Sequence, residues 1–210
     1  TTLEPEQLDR LLGCLKSRFD FSTVQEFTVE AGRADSITPD KLEVLRRHGV
    51  SRISVNPQTM KQETLDSIGR QASVEQVLEA YRQARQAGFD NINMDLILGL
   101  PGETEEDVRR TVEKVVSLSP DSLTVHSLAI KRAARLNLFK EEYAEMGLEN
   151  NMQIMDMTAR YCTEMGLSPY YLYRQKNMAG NFENVGYAKA DQAGIYNILM
   201  MEEKQSIVAC

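Results

Sequence analysis

The stretch Asn91-Ile92-Asn93-Met94-Asp95-Leu96-Ile97-Leu98-Gly99-Leu100-Pro101-Gly102 constrains this chain most. Its apolar centre predicts a buried strand, and its Gly-Leu-Pro-Gly tail predicts a sharp turn before a helix that begins at Thr104. An acid inside such a strand needs an explanation, because an ionised carboxylate in a packed core must find hydrogen bonds or a partner. With side chains alternating, Asn91, Asn93 and Asp95 share one face. Three polar groups in register fit a polar barrel interior or cleft, and an edge strand with one wet face fits the same pattern.

The segments around this stretch alternate between strand and helix. Residues 4–16 put Leu8, Leu11, Leu12 and Leu15 on one helical face, with Pro5 tolerable in the first turn. Residues 27–30 end a strand, and Thr38 with Pro39 opens a helix that carries Leu42 and Leu45 and stops at Gly49. A short strand over 52–56 runs into Pro57, and a short helix over 58–68 ends at Gly69. Ser73 and Gln76 form a capping box for a helix with Val77, Ala80, Tyr81, Ala84 and Ala87 inward, closed by Gly88. Thr104 and Asp107 form another, ahead of Val108, Val112, Val115 and Val116. A strand over 122–127 comes next, then a small basic turn at 132–135 and helices over 138–146 and 151–164. The last strand is read at 169–174, where Tyr170, Tyr171 and Tyr173 crowd together. The polar residues 177–186 read as a loop, either beside a site or plainly on the surface. Helices that close on Gly49, Gly88 or Gly166 a few residues before a strand predict βα units and a parallel sheet of five strands.

Composition narrows the classes. The 210 residues suit one domain with a real core, or part of a larger one, and a 42% apolar share excludes disorder. No apolar run approaches the roughly 20 residues of a membrane-spanning helix, and the acidic, polar start does not resemble a signal peptide, so a cytoplasmic protein is expected. With 24 basic and 31 acidic residues the net charge is -7, which disfavours a broad nucleic-acid surface. Cys14, Cys162 and Cys210 are too scattered for a disulfide framework or a local metal motif, and no metal ligand is assigned. Cys14 and Cys162 are read as small core or helix residues, and the methionines of 151–164 as core filler.

In parallel α/β folds, sites gather beyond the carboxyl ends of the strands. That rule selects Glu30, Asn56 with Gln58, Asp95 with the turn Gly99, Leu100, Pro101, Gly102, then His126 with Ser127 and Lys131, and Tyr173 with Arg174. Such acids, amides and an arginine suit a small ligand with an amine, a sugar and a carboxylate. His126 reads first as a hydrogen-bonded interior histidine and only second as a base, and Arg70 equally as a solvated or an anion-binding arginine. No zinc-protease, Walker, dinucleotide or nucleophile-elbow motif occurs. No catalytic residue is assigned.

These residues carry a resemblance. The ordered series Val29-Glu30-Ala31, Arg52-Ile53-Ser54-Val55-Asn56-Pro57-Gln58, Ile68-Gly69-Arg70, Ala87-Gly88-Phe89, Asn93-Met94-Asp95-Leu96-Ile97 and Gly99-Leu100-Pro101-Gly102 resembles the radical S-adenosylmethionine enzymes of the oxygen-independent coproporphyrinogen III oxidase group. It covers most of residues 1–130 and the rest more loosely. His126-Ser127-Leu128-Ala129-Ile130-Lys131-Arg132 and residues 171–187 look like the coproporphyrinogen dehydrogenase branch. The resemblance implies a partial (β/α)6 barrel with parallel strands that holds S-adenosylmethionine beside a [4Fe-4S] cluster. Glu30 and Arg70 would hold the methionine amine and carboxylate, with Gln58 nearby. Asp95 would take the ribose hydroxyls, and Gly99 to Gly102 would flank the adenine. It further implies a 5'-deoxyadenosyl radical that abstracts hydrogen from propionates, whose decarboxylation leaves vinyl groups, and with it a tetrapyrrole substrate and a low-potential electron donor.

The chain departs from the family where the cluster is held. The Cys-x-x-x-Cys-x-x-Cys motif and the glycine-rich second strand are absent, and Thr1-Thr2-Leu3 resembles the residues that normally come after that second strand. The expectation is a single incomplete core domain over 1–210, its first βα units missing, with 130–210 carrying the last barrel units and the start of a family-specific region. The chain by itself is expected to be inactive. A non-catalytic relative that binds haem or another tetrapyrrole for delivery is the alternative.

Overall fold

The computed structural model describes residues 2–129, 150–174 and 181–208. The basic turn expected at 132–135, the helix expected at 138–146, Lys131 and Cys210 lie outside the described residues. Among the described residues the chain runs α1 (Pro5–Arg18), β1 (Thr28–Gly32), α2 (Pro39–Arg47), β2 (Arg52–Val55), α3 (Gln62–Ser67), α4 (Val74–Gln86), β3 (Ile92–Leu98), α5 (Glu105–Leu118), β4 (Ser122–Ser127), α6 (Met152–Glu164), β5 (Ser168–Tyr173), β6 (Asn184–Ala188) and α7 (Ile195–Met201). The helix starts obey local chemistry. Thr38, Ser73, Thr104 and Asn151 each accept a backbone N–H of the first turn, and Ser73/Gln76 and Thr104/Asp107 close reciprocal capping boxes.

The six strands form one sheet in the order β1-β2-β3-β4-β6-β5. β1 to β4 are parallel neighbours, as expected of βα units. β6 is antiparallel to both β4 and β5. This strand corrects the reading of 177–186 as loop and the count of five strands: Asn184, Val185 and Gly186 belong to a reversed strand between β4 and β5. Leu11 also departs from expectation, standing 46% exposed on α1 while Leu8 and Leu12 are buried.

The sheet has two chemically different faces. Ile53, Val55, Ile92, Met94, Leu96, Leu123 and Val125 belong to the apolar core, together with Leu42 and Leu45 of α2, Val77, Ala80 and Ala84 of α4, Val108, Val112 and Val115 of α5, and Ile154 and Cys162 of α6. Each fully buried Leu or Ile contributes about 1.5–3 kcal/mol relative to exposure. In this setting burial pushes the Cys162 thiol up to about 12, so it packs as a small apolar group. Cys14 lies exposed on α1.

The polar face is concave, as the short helix α7 shows. Ile195 N donates to Glu26, two residues ahead of edge strand β1, at 2.6 Å, and Asn197 Nδ2 donates to Tyr170 Oη of edge strand β5 at 3.0 Å. A flat six-stranded sheet would hold its edges about 24 Å apart, at roughly 4.8 Å per strand spacing. Two residues of one helical turn reach both, so the sheet curls into a partial barrel around its polar face.

The Gly-Leu-Pro-Gly turn closes β3 with Gly99 at φ +82° and Gly102 at φ +73°, backbone angles that a side chain would strain. Leu100 is buried beneath it. Lys61 Nζ donates to Gly102 O at 3.0 Å and pairs with Asp107 at 2.9 Å, which fastens the turn to the segment after β2. The buried Glu103 accepts from Thr59 and is hydrogen-bonded by Thr64. Burial raises its carboxyl above the ordinary 4.5. A carboxyl that holds its proton more tightly when folded contributes most stability below its unfolded value and loses it as pH rises through the folded one. Glu103→Gln, which keeps the acceptor oxygen, is therefore expected to gain stability relative to the parent as pH climbs above 4.5. Urea denaturation of both proteins from acid to neutral pH checks this, and parallel stability profiles would refute it.

Candidate active site

The polar face is built by period-two alternation on four adjacent strands. Thr28 and Glu30 come from β1, Arg52 and Ser54 from β2, Asn93 and Asp95 from β3, and Ser122, Thr124 and His126 from β4. Parallel register places Ser54 beside Asn93, Asn93 beside Ser122, and Asp95 beside Thr124. Polar side chains thus meet across the strands on one side of the sheet while their sequence neighbours enter the core on the other.

Hydrogen bonds join them. Ser54 Oγ donates to Glu30 Oε2 at 2.6 Å. Arg52 is 3% exposed and its Nη2 donates to Ser122 Oγ at 2.9 Å, while its Nε has no partner. Ser122 Oγ donates to Asn93 Oδ1 at 3.0 Å and Thr124 Oγ1 to the same oxygen at 3.4 Å. Asn93 Nδ2 then donates to Asp95 Oδ1 at 2.7 Å. The other carboxylate oxygen, Oδ2, lies 3.9 Å from His126 Nε2. Tyr171 of β5 hydrogen-bonds Thr124, and burial pushes its phenol up to about 12, so it stays protonated at neutral pH. A cleft of about 500 Å³ opens on this face at β1 and α7, lined by Glu26, Phe27, Thr28, Glu30, Arg52, Tyr196 and Asn197.

The expected site residues fall into two groups. Glu30 and Asp95 stand within β1 and β3 on the polar face, and Gln58 and the Gly99 to Gly102 turn come after the carboxyl ends of β2 and β3. Gln58 is held at φ +70°, and its backbone bridges to β3: its N–H donates to Asp95 O at 3.0 Å and its carbonyl accepts from Ile97 N at 2.9 Å. Gln58 is thus locked beside Asp95 by main chain. Arg70 is separate from this network. It comes directly after Gly69 and lines a crevice of about 20 Å³ with Arg33, Asp35 and Asn56, whose buried Oδ1 lacks a hydrogen-bond donor. Ser127 is buried and packs towards Met155, Glu183 and Asn184, and Arg174 pairs with Glu183 at the surface. Neither points to the polar face through any of these contacts. Arg52, Ser54, Ser122, Thr124 and Tyr171 are not picked out by the strand-end rule. The signal for most of them is the same alternation that singles out Asp95, repeated on β2 and β4.

Acidic acceptors, a protonated phenol and amides with fixed orientation can bind a ligand that carries hydroxyls and an amine. Among the described residues no group of three or more His, Cys, Asp or Glu side chains could hold a metal ion. No helix of the described residues is long and apolar enough to cross a membrane.

Comparison with known proteins agrees with this architecture. Residues 2–115 match the Radical SAM superfamily. The chain is 46% identical over 209 residues to the oxygen-independent coproporphyrinogen-III oxidase-like protein HemZ of Bacillus subtilis, a match to 99% of this chain and 42% of that protein. It is 37% identical over 131 residues to the heme chaperone HemW of Lactococcus lactis, covering 62% of this chain and 34% of that one. Among solved structures, the coproporphyrinogen III oxidase HemN of Escherichia coli, described as a radical SAM enzyme, superposes with a TM-score of 0.73 at 25% identity, over 95% of this chain and 43% of that chain. The chain therefore spans less than half the length of the relatives it matches.

Proposed function

Since the chain belongs to the radical SAM superfamily, whose members use S-adenosylmethionine and a [4Fe-4S] cluster, we propose that it is the cofactor-binding core of an oxygen-independent coproporphyrinogen III oxidase acting in haem biosynthesis. The observation that carries this reading is the placement of Glu30 and Asp95 on the polar face of three parallel strands, with Gln58 bridged to β3 beside Asp95 and the Gly99 to Gly102 turn closing that strand, in a chain 46% identical to the oxidase-like protein. The reading takes residues 1–210 as one core unit, with the last barrel units in 130–210, working in the cytoplasm.

The residues present fit S-adenosylmethionine. Glu30 is an exposed carboxylate steadied by Ser54, suited to the methionine amine. Arg70 stands next to Asn56, whose buried Oδ1 has no donor, and the two offer a guanidinium and an amide to the amino-acid end of the ligand. Asp95 keeps Oδ2 clear of Asn93, ready to accept from ribose hydroxyls. The Gly99 to Gly102 turn, anchored through Lys61 and Glu103, presents main chain to the adenine. The cluster is not fitted in this way: Cys14, Cys162 and Cys210 lack the spacing of a ligand set. When bound, cluster and S-adenosylmethionine together supply one-electron chemistry for removing hydrogen from a substrate propionate. The protein's part is to hold and orient the ligand and to keep the barrel interior polar and protonated at Tyr171.

Two experiments test this. Anaerobic reconstitution of the 210-residue chain with iron and sulfide is expected to give no stoichiometric [4Fe-4S] spectrum, and its appearance would overturn the cluster statement. The full-length protein, reconstituted and supplied with a low-potential reductant, is expected to release 5'-deoxyadenosine and vinyl products from coproporphyrinogen III. Deoxyadenosine without vinyl product would move the substrate elsewhere. No cleavage together with tight haem binding would favour the second reading, a haem-delivery protein, which rests on the likeness to the heme chaperone.

A further inference from the structure

We propose that Arg52 and Ser122, acting through Asn93, are positioning residues that set which oxygen of Asp95 is offered to the ligand. The inference rests on the reading of Asp95 as the ribose acceptor and extends it to residues that never touch ribose.

Donors and acceptors decide the geometry. A guanidinium can only donate, so Arg52 Nη2 at 2.9 Å makes Ser122 Oγ an acceptor on that side. Ser122 has a single hydroxyl hydrogen left, and it donates this to Asn93, 3.0 Å away. Thr124 directs its hydroxyl to the same atom at 3.4 Å. Two donors converging on one atom of the amide fix it as Oδ1 and turn Nδ2 towards Asp95 Oδ1 at 2.7 Å. A flipped amide would set its oxygen against the carboxylate oxygen and its hydrogens against two hydroxyl hydrogens. The orientation of Asn93 is therefore dictated chiefly by Ser122, which Arg52 fixes as a donor towards it, with the longer Thr124 contact in support. Its consequence is asymmetric: Asp95 Oδ1 is occupied and Oδ2 remains for an incoming hydroxyl, with His126 Nε2 3.9 Å away as its protein neighbour. Arg52, Ser122 and Asn93 are all at least nine-tenths buried, so water does not readily replace a lost link.

The test uses the full-length protein and S-adenosylhomocysteine as probe, with calorimetric binding and hydrogen exchange of the Asn93 side-chain amide. Ser122→Ala is expected to weaken the probe by about tenfold, the scale of one buried hydrogen bond to a charged group. Ser122→Thr, which keeps the hydroxyl, should restore it. In an Asp95→Ala background, Ser122→Ala should add nothing further, because its effect runs through the carboxylate. Independently of any ligand, the Asn93 amide protons should be protected from exchange in the parent and lose protection in Ser122→Ala. An effect of Ser122→Ala that persists in the Asp95→Ala background, or retained Asn93 protection in Ser122→Ala, would overturn the proposal. If Asp95→Ala itself leaves the probe's affinity unchanged, the ribose reading falls, and the exchange measurement alone, made on Ser122→Ala and on Arg52→Met, then decides whether Arg52 and Ser122 orient Asn93.

Discussion

Gly186→Ala is expected to lower stability by about 3 kcal/mol, the upper part of the range for overpacking a close-packed site. A methyl group at this position would lie 1.9 Å from Tyr171 Cε1, 2.2 Å from Cδ1 and 2.9 Å from Cζ. No flexible side-chain end absorbs that contact, since these are atoms of a rigid ring. To make room, Tyr171 must leave the place where it meets Thr124 and stacks edge-on against Tyr170 at 4.9 Å. For a domain of this size the loss corresponds to a melting midpoint lower by roughly 6–12 °C. The double variant Gly186→Ala/Tyr171→Ala should be more stable than the sum of its single changes predicts, by at least about 1 kcal/mol, because the added methyl then enters space the ring has left. Strict additivity in thermal or urea unfolding would show that the ring does not press on Gly186.

The same pair explains why β6 is hidden in the sequence. Asn184-Val185-Gly186-Tyr187-Ala188 is short and carries a glycine, which weakens a strand and marks close approach of another group. That group is the Tyr171 ring from β5, and β6 becomes a strand only by pairing with β4, some sixty residues earlier, and with β5. By contrast, the Ser73/Gln76 and Thr104/Asp107 boxes and the apolar spacing of α4 and α5 are local, and they are legible as such. Leu11 misleads for a related reason. Four leucines in α1 widen the apolar stripe beyond what α2 and the rest of the core cover, and only the packing decides that Leu8 and Leu12 are inside.

The site divides along the same line. Asp95 is visible because a charge interrupts an apolar strand, and Glu30 and Gln58 because they fall at or just past the strand ends expected from the sequence, although β1 itself runs on to Gly32. Arg52 starts a strand and reads as a boundary residue. Its burial comes from Ser122, seventy residues on, and from α7, whose preceding Gly194 would place a Cβ 3.4 Å from the Arg52 guanidinium carbon. Arg70 stands out by its place after Gly69 and lies with Asn56 and Asp35, apart from the interior network. The part proposed for it in holding the ligand therefore depends on the Asn56 crevice, and not on a direct link to Asp95.

Asp95→Ala is expected to weaken S-adenosylmethionine binding by about 1–3 kcal/mol, roughly five- to 150-fold, the worth of hydrogen bonds to a partly buried carboxylate. The variant removes the acceptor oxygen proposed for the ribose hydroxyls and also strands Asn93 Nδ2, which loses its 2.7 Å partner inside the barrel. These two effects separate in Asp95→Asn. An amide there can keep an oxygen towards Asn93 Nδ2, so folding stability should return close to that of the parent. Its nitrogen then faces the ligand as a donor where an acceptor is needed, so affinity should stay low. Calorimetric titration and urea unfolding of the three proteins give the answer together. Equal affinity in parent and Asp95→Ala would remove Asp95 from the cofactor site. Recovery of affinity in Asp95→Asn would mean that packing at this position, rather than the charge and direction of one carboxylate oxygen, is what the ligand requires.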